Sequence, residues 1–207
     1  MPHLKLTYFD AVGRGEPIRV ALFLNGLAFE DHRVQYPEFA ALKAQGAFPL
    51  GSVPVFTIDD VPYAQTASVL RYVARLGSAE LYPTDPLTAL RVDTVLDTFN
   101  DTLASALTPS FREQDPARKL ELRAAFAAGP LPICYSYAER VLGETDGPFV
   151  GGNTLTIADI VVALQVLGIR SGALDGLNAG HLAPFPRVNA LADAYLAHPG
   201  IQAWRSR

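Results

Sequence analysis

Cysteine is nearly missing from this chain: among 207 residues only Cys134 occurs. That excludes an intramolecular disulfide and a cysteine-built zinc cluster, and it fits a reducing compartment such as the cytoplasm. An excess of positive charge is missing as well. The 17 Lys and Arg stand against 21 Asp and Glu, a formal net charge of −4, and no cluster of basic residues forms a stripe able to follow a phosphate backbone, so nucleic acid is not an expected partner. Long apolar runs are lacking too. The most apolar stretch, 157–169, is interrupted by Asp159 and Gln165, and the first residues carry no apolar signal-peptide core, so no membrane association is expected. The P-loop, nucleophile-elbow and zincin motifs are absent, and the four histidines (His3, His32, His181 and His198) are scattered, so no metal site is announced.

What is present suffices for a packed core: 49% of the residues are hydrophobic and 18% charged, at a length that suits one large domain or two small ones. Residues 4–9 alternate as a strand, and the loop Asp10-Ala11-Val12-Gly13-Arg14-Gly15 breaks it. Pro17 suits a first helical turn, and Ile18, Ala21, Leu22 and Leu24 then repeat at helical spacing until Asn25-Gly26. A second strand is expected over 29–36, a helical or irregular connector over 37–50, and a third strand over 53–58. Asp59-Asp60 turns that strand into Val61-Pro62-Tyr63, whose proline belongs at a sheet edge. A helix over 65–76 ends at Gly77, and the order βαβ, connector, ββα makes a compact α/β unit over 1–80.

The turn-rich Leu81-Tyr82-Pro83-Thr84-Asp85-Pro86 reads as a linker, and an all-helical domain is expected over 87–207. A long helix covers 87–107, and a helical region over 118–142 is broken at Gly129-Pro130. A further helix, to about Leu167, opens at Thr156-Ile157-Ala158-Asp159, where Thr156 caps and Asp159 answers as a capping box. A helix over 188–196 and a turn near Trp204 complete the chain.

Several residues bear on chemistry. Gly13-Arg14-Gly15 lacks the third glycine of a dinucleotide loop, Ile18 standing in its place, and reads better as a strand-to-helix turn. Tyr8 closes the first strand ahead of that loop, where ligands of α/β units lie, or else packs in the core. Val53-Pro54 is either a cis site, which leaves the Val53 amide free for a ligand backbone, or an ordinary trans strand entry. Gln65-Thr66 opens a helix, so the Thr66 hydroxyl and the first-turn amides cap it and also suit a carboxylate. Asp93, Asp97 and Asp101 lie four apart, hence on one helix face that meets either water or a cation.

Together these features resemble the cytosolic glutathione S-transferases that use a tyrosine, sigma class above all with features of pi. The resemblance runs through Tyr8-Phe9 with Gly13-Arg14-Gly15-Glu16-Pro17-Ile18-Arg19, then Val53-Pro54-Val55, Gln65-Thr66-Ala67-Ser68-Val69-Leu70-Arg71-Tyr72, Leu81-Tyr82-Pro83, Asp93 with Asp97, and the capping box. It implies a thioredoxin-like N-terminal domain, an all-helical C-terminal domain, a homodimer, and glutathione as co-substrate with a small apolar electrophile and no metal. Tyr8 would donate a hydrogen bond to the glutathione sulfur, with Arg14 and the helix starting near Glu16 adding positive potential. The Val53 backbone would hold the cysteinyl moiety, Gln65 and Thr66 the γ-glutamyl carboxylate, Lys43 with Ser52 the glycyl end, and Asp97 of the partner subunit the γ-glutamyl ammonium. Phe9, Val12, Leu103 and Leu107 would line the electrophile pocket, with Trp204 a further candidate. Glutathione-dependent isomerisation or reduction, and a non-catalytic binding role, are the alternatives.

Three departures from the family pattern stand out. Phe39 occupies the position of a tryptophan whose indole N–H reaches the glycyl carboxylate, and phenylalanine has no donor. The stretch from Lys43 to Pro54 is about two residues longer than usual, which bears on Lys43 as an equivalent. Ser52 replaces the familiar glutamine before Val53-Pro54. Cys134 falls in the helical half as a small apolar residue rather than a nucleophile.

Overall fold

The computed structural model describes residues 2–207. Two compact units divide the chain: Met1–Glu80 together with Ala203–Arg207, and Leu81–Gln202. The expected linker residues 81–86 thus fall in the second unit, while the last five residues belong with the first.

In the first unit, strand β1 (Leu4–Phe9) is followed by helix α1 (Glu16–Leu24), β2 (Glu30–Val34), α2 (Tyr36–Ala44), β3 (Val55–Ile58), β4 (Val61–Tyr63) and α3 (Thr66–Val73). The sheet order is β2-β1-β3-β4. β1 pairs in parallel with β2, the pairing that a helical crossover such as α1 permits, and antiparallel with β3. Asp59 and Asp60, both at positive φ (47° and 69°), make the two-residue turn into β4, the backbone that matches strand twist in a hairpin. Pro62 lies on the edge strand β4, where a missing N–H costs no ladder bond. Leu6, Ile18, Leu22, Phe56 and Leu70 fill the core. Asn25 at the end of α1 ties it to α3 and beyond, donating to the Val73 carbonyl at 2.9 Å and accepting from the Ala79 N–H at 3.1 Å.

The connector after β2 is helical, and β2 ends two residues before Tyr36 because Tyr36-Pro37 opens α2. His32 of β2 holds α2 in place. Its Nε2 lies 3.0 Å from Glu38 Oε1 and its Nδ1 3.3 Å from Thr7 Oγ1.

The second unit is helical. α4 (Pro86–Asp97) continues through a π-helical stretch, Thr98–Leu103, into α5 (Ala104–Arg112), so the long helix expected to end at Leu107 runs further and in three segments. α6 (Pro116–Ala128) and α7 (Pro130–Leu142) meet at Gly129-Pro130. α8 (Ile157–Arg170), α9 (Pro186–Ala197) and α10 (Pro199–Arg205) follow. The capping box forms in full. Asp159 Oδ2 accepts from the Thr156 N–H at 2.7 Å and the Thr156 hydroxyl at 2.6 Å, and Oδ1 from the Val150 N–H at 2.8 Å. Burial pushes the Asp159 carboxyl up to about 6, against the pull of those hydrogen bonds. Cys134 is buried, and desolvation raises its thiol pKa.

Candidate active site

Tyr8 lies where β1 gives way to the glycine loop, half-buried, with its ring laid over Gly13 and Gly15. A Cβ at Gly15 would overlap the ring, and one at Gly13 would overlap the hydroxyl. Gly13 also has φ +36°, which L side chains disfavour. The two glycines therefore make room for the tyrosine rather than for a nucleotide. The Arg14 main-chain N–H donates to the Tyr8 hydroxyl oxygen at 3.0 Å. One lone pair is thereby used, and the single O–H remains to donate elsewhere.

Beneath the loop lies a residue that the sequence did not single out. Arg19 of α1 is fully buried, and its guanidinium carbon stands 5.8 Å from the Tyr8 ring centroid. Its Nε donates to both Asp31 carboxylate oxygens at 2.9 and 3.1 Å, Nη1 to the Ala11 carbonyl at 2.9 Å and Glu16 Oε2 at 3.3 Å, and Nη2 to the Phe9 carbonyl at 3.1 Å. Asp31 in turn pairs with Arg33, which also reaches Asp10 at 2.6 Å. A buried cation persists only where its charge and donors are met. Here the charge is met by the Asp31 and Glu16 carboxylates, and the remaining donors by the carbonyls on both sides of Asp10.

Phe39 is occupied in packing. Its ring stacks on Phe48 (5.4 Å, 15°) and lies 5.1 Å from Phe9, which meets Tyr8 edge-on at 5.6 Å. Lys43, one turn further along α2, carries Nζ 5.9 Å from the Phe39 centroid, and its stem passes beside Gly51. The long connector thus curls back under Lys43, next to exposed Ser52 and half-buried Val53. The Val53–Pro54 peptide is cis.

Gln65 rather than Thr66 is the N-cap of α3, and Thr66 is the first helical residue, nearly fully buried. Thr66 is therefore not the cap expected for it, because the chain enters the helix at Gln65 with φ 75° and ψ 105°. For a residue with a side chain that backbone costs about 1–3 kcal/mol, and such outliers gather at ligand sites. The first-turn amides of α3 have no partner within the helix, which suits a carboxylate.

In the second unit Asp93 accepts from the Tyr82 hydroxyl at 2.7 Å, and Asp97 ends α4, half-buried. The single face expected for Asp93, Asp97 and Asp101 does not continue past Asp97, because the wider π turn shifts the register. Asp101 instead accepts from the Asn100 side-chain amide at 2.9 Å. Of the expected pocket residues, Phe9 is half-buried and Val12 exposed in the first unit, while Leu103 and Leu107 are buried in the second. Trp204 packs against Phe23 of α1 and donates to Glu16. Among the described residues, no group of three or more His, Cys, Asp or Glu side chains gathers as a metal site, and no helix is long and apolar enough to cross a membrane.

Known proteins share this architecture. A family model described as "Glutathione S-transferase, N-terminal domain" matches residues 4–75, and one described as "Glutathione S-transferase, C-terminal domain" matches residues 100–207. Glutathione S-transferase 1 of Ascaris suum is 32% identical over 211 residues, which cover 99% of this chain and 96% of that protein. Hematopoietic prostaglandin D synthase of Gallus gallus is 28% identical over 99% of this chain and 96% of its own. Among solved structures, a glutathione S-transferase of Caenorhabditis elegans superposes with a TM-score of 0.86 at 26% identity, covering 100% of this chain and 97% of that one.

Proposed function

The chain belongs to the glutathione S-transferase family, and from that premise we propose that it is a tyrosine-type enzyme of sigma-like character that joins the glutathione sulfur to small apolar electrophiles, with Tyr8 as the residue that stabilises the thiolate. The observation that carries this reading is the Tyr8 hydroxyl, fixed by the Arg14 N–H so that its own proton is free to donate. A thiol of pKa about 8.5 is mostly protonated at neutral pH, and lowering that value by about two units takes roughly 2.7 kcal/mol of preference for the anion. A hydrogen bond to a charged sulfur supplies about 1.5–3 kcal/mol. The start of α1 and Arg14 add positive potential. The thiol proton leaves to solvent, the sulfur forms its bond to the electrophilic carbon, and the leaving group departs with the electron pair of its own bond to that carbon. Tyr8 stabilises charge and forms no covalent bond.

In the same reading the Val53 backbone holds the cysteinyl moiety, Gln65, Thr66 and the first-turn amides of α3 hold the γ-glutamyl carboxylate, and Lys43, with Ser52 nearby, holds the glycyl carboxylate in place of an indole donor. In the first unit, Phe9 and Val12 are the residues assigned to the electrophile. Asp97 of the partner subunit meets the γ-glutamyl ammonium in a homodimer. A dimer is supported by apolar residues left exposed in each unit: Val61, Tyr63, Tyr72 and Leu76 on β4 and the α3 region, and Leu87 and Leu90 on α4. Similarity to a protein named a prostaglandin D synthase favours a second reading, in which the same thiolate serves a glutathione-dependent isomerase or reductase. Turnover of glutathione with an activated aryl halide tests the proposal. Wild type conjugates, and Tyr8→Phe loses about 10–100-fold in kcat/KM, the equivalent of one hydrogen bond to charge. Glutathione binding without conjugation of any electrophile would leave a binding protein instead.

A further inference from the structure

Trp204 lies 188 positions from Glu16, yet its indole Nε1–H donates to Glu16 Oε1 at 2.9 Å. The ring tilts against Phe23 of α1 with centroids 5.4 Å apart, and the Arg207 guanidinium covers both rings at 5.1 and 5.6 Å. The other Glu16 oxygen accepts from Arg19, whose remaining donors reach the Phe9 and Ala11 carbonyls and Asp31. A continuous chain of hydrogen bonds therefore runs from the C-terminal turn, through a carboxylate and a buried guanidinium, to the backbone immediately after Tyr8. Three residues beyond Ala11, the Arg14 N–H meets the Tyr8 hydroxyl.

We infer that Trp204 is a positioning residue for Tyr8: by pinning the Glu16 carboxylate it completes the set of acceptors that holds Arg19, and through Arg19 it fixes the loop that sets the tyrosine hydroxyl. The inference rests on the reading of Tyr8 as the thiolate-stabilising group. Its physical basis is the fully buried Arg19, for which a carboxylate that swings out to water leaves part of a buried charge unmet. Hydrogen bonds in series also strengthen one another, so loss at one end weakens the grip at the other. The indole itself makes its polar contact with none of the residues assigned to glutathione.

Trp204→Phe removes the N–H and keeps a ring on Phe23, so it separates positioning from packing. The readout is the ultraviolet thiolate absorbance of bound glutathione against pH, measured in wild type, Trp204→Phe, Glu16→Gln, Arg207→Ala and Tyr8→Phe. Trp204→Phe is expected to raise the apparent thiol pKa by about half a unit, an approximately threefold smaller thiolate fraction below it, with KM for glutathione unchanged. Glu16→Gln should shift it in the same direction and carries the test if Trp204→Phe does not fold. Arg207→Ala, which leaves the indole hydrogen bond in place, should titrate as wild type. Wild-type titration in both Trp204→Phe and Glu16→Gln, with Tyr8→Phe shifted, overturns the inference and leaves the Tyr8 reading standing. A Tyr8→Phe titration identical to wild type overturns that reading and the inference together.

Discussion

Replacing Arg19 by methionine tests whether the buried guanidinium holds the loop that carries Tyr8. The substitution keeps much of the stem volume and removes every donor. It takes a donor from the Ala11 carbonyl and from the Phe9 carbonyl, which keeps the Ala11 N–H at 2.8 Å, and deprives the Asp31 and Glu16 carboxylates of a charge they share. Asp31 and Glu16 are partly exposed and recover some hydration, with side chains 24% and 16% accessible against 0% for Arg19. The expected cost is therefore about 3 kcal/mol, the low end for breaking a buried pair. In a chain of this size that lowers the thermal midpoint by roughly 6–12 °C. Arg19→Lys keeps the charge but not the planar fork, so it restores part of the loss and not all of it. Thermal unfolding of wild type and both variants by circular dichroism is the assay. A midpoint for Arg19→Met within 2 °C of wild type, about 0.5–1 kcal/mol, would refute the reasoning, as would Arg19→Lys falling below Arg19→Met.

Gly15→Ala places a methyl group against the Tyr8 ring although the backbone at Gly15, φ −82°, accepts alanine. Turnover is expected to fall at least tenfold, about 1.4 kcal/mol, with helix content unchanged; an unaltered rate would mean that the ring is not held where its hydroxyl acts. Asp159 makes a pH signature. Its folded pKa of about 6 lies above the ordinary value of 3.8, so its contribution to stability is fully present below about pH 4 and lost as pH rises through about 6, a change of about 3 kcal/mol. The unfolding free energy of wild type minus that of Asp159→Asn should fall by about that amount between pH 4 and 7, and a flat or rising difference would show that burial does not govern this carboxyl.

Local chemistry explains how much of the fold could be read from residues. Pro17 after a glycine loop, Asn25-Gly26 at the helix end, Asp59-Asp60 before a proline-bearing edge strand, and Thr156 answered by Asp159 are signals contained within a few positions, and each element appears where its signal stands. The features that went unread depend on partners far along the chain. Arg19 sits in a helix that is apolar after Glu16, and its burial is sensible only once Asp31 and the Phe9 and Ala11 carbonyls surround it. The Trp204 to Glu16 bond joins the two ends of the sequence. The π stretch after Asp97 carries no residue signature, so a face drawn with α-helical spacing through Asp101 could not anticipate it. Gln65 shows the same limit, since nothing in its side chain marks a positive φ.

The site follows the same division. Tyr8 and the Gln65-Thr66 pair could be proposed from position and resemblance, while the reason for Gly13 and Gly15 lies in the tyrosine ring above them. Phe39 could be seen to lack an indole donor, but only its packing, stacked on Phe48 and tilted against Phe9, explains what replaced it, and it leaves Lys43 curled over Gly51.

The central claim is that this protein lowers the pKa of a borrowed thiol through Tyr8. The most direct measurement is the thiolate absorbance of glutathione bound to wild type and to Tyr8→Phe across pH. Wild type is predicted to ionise the bound thiol about two units below its free value of about 8.5, with Tyr8→Phe returning most of that shift. Bound glutathione that titrates as in water in both proteins would contradict the account.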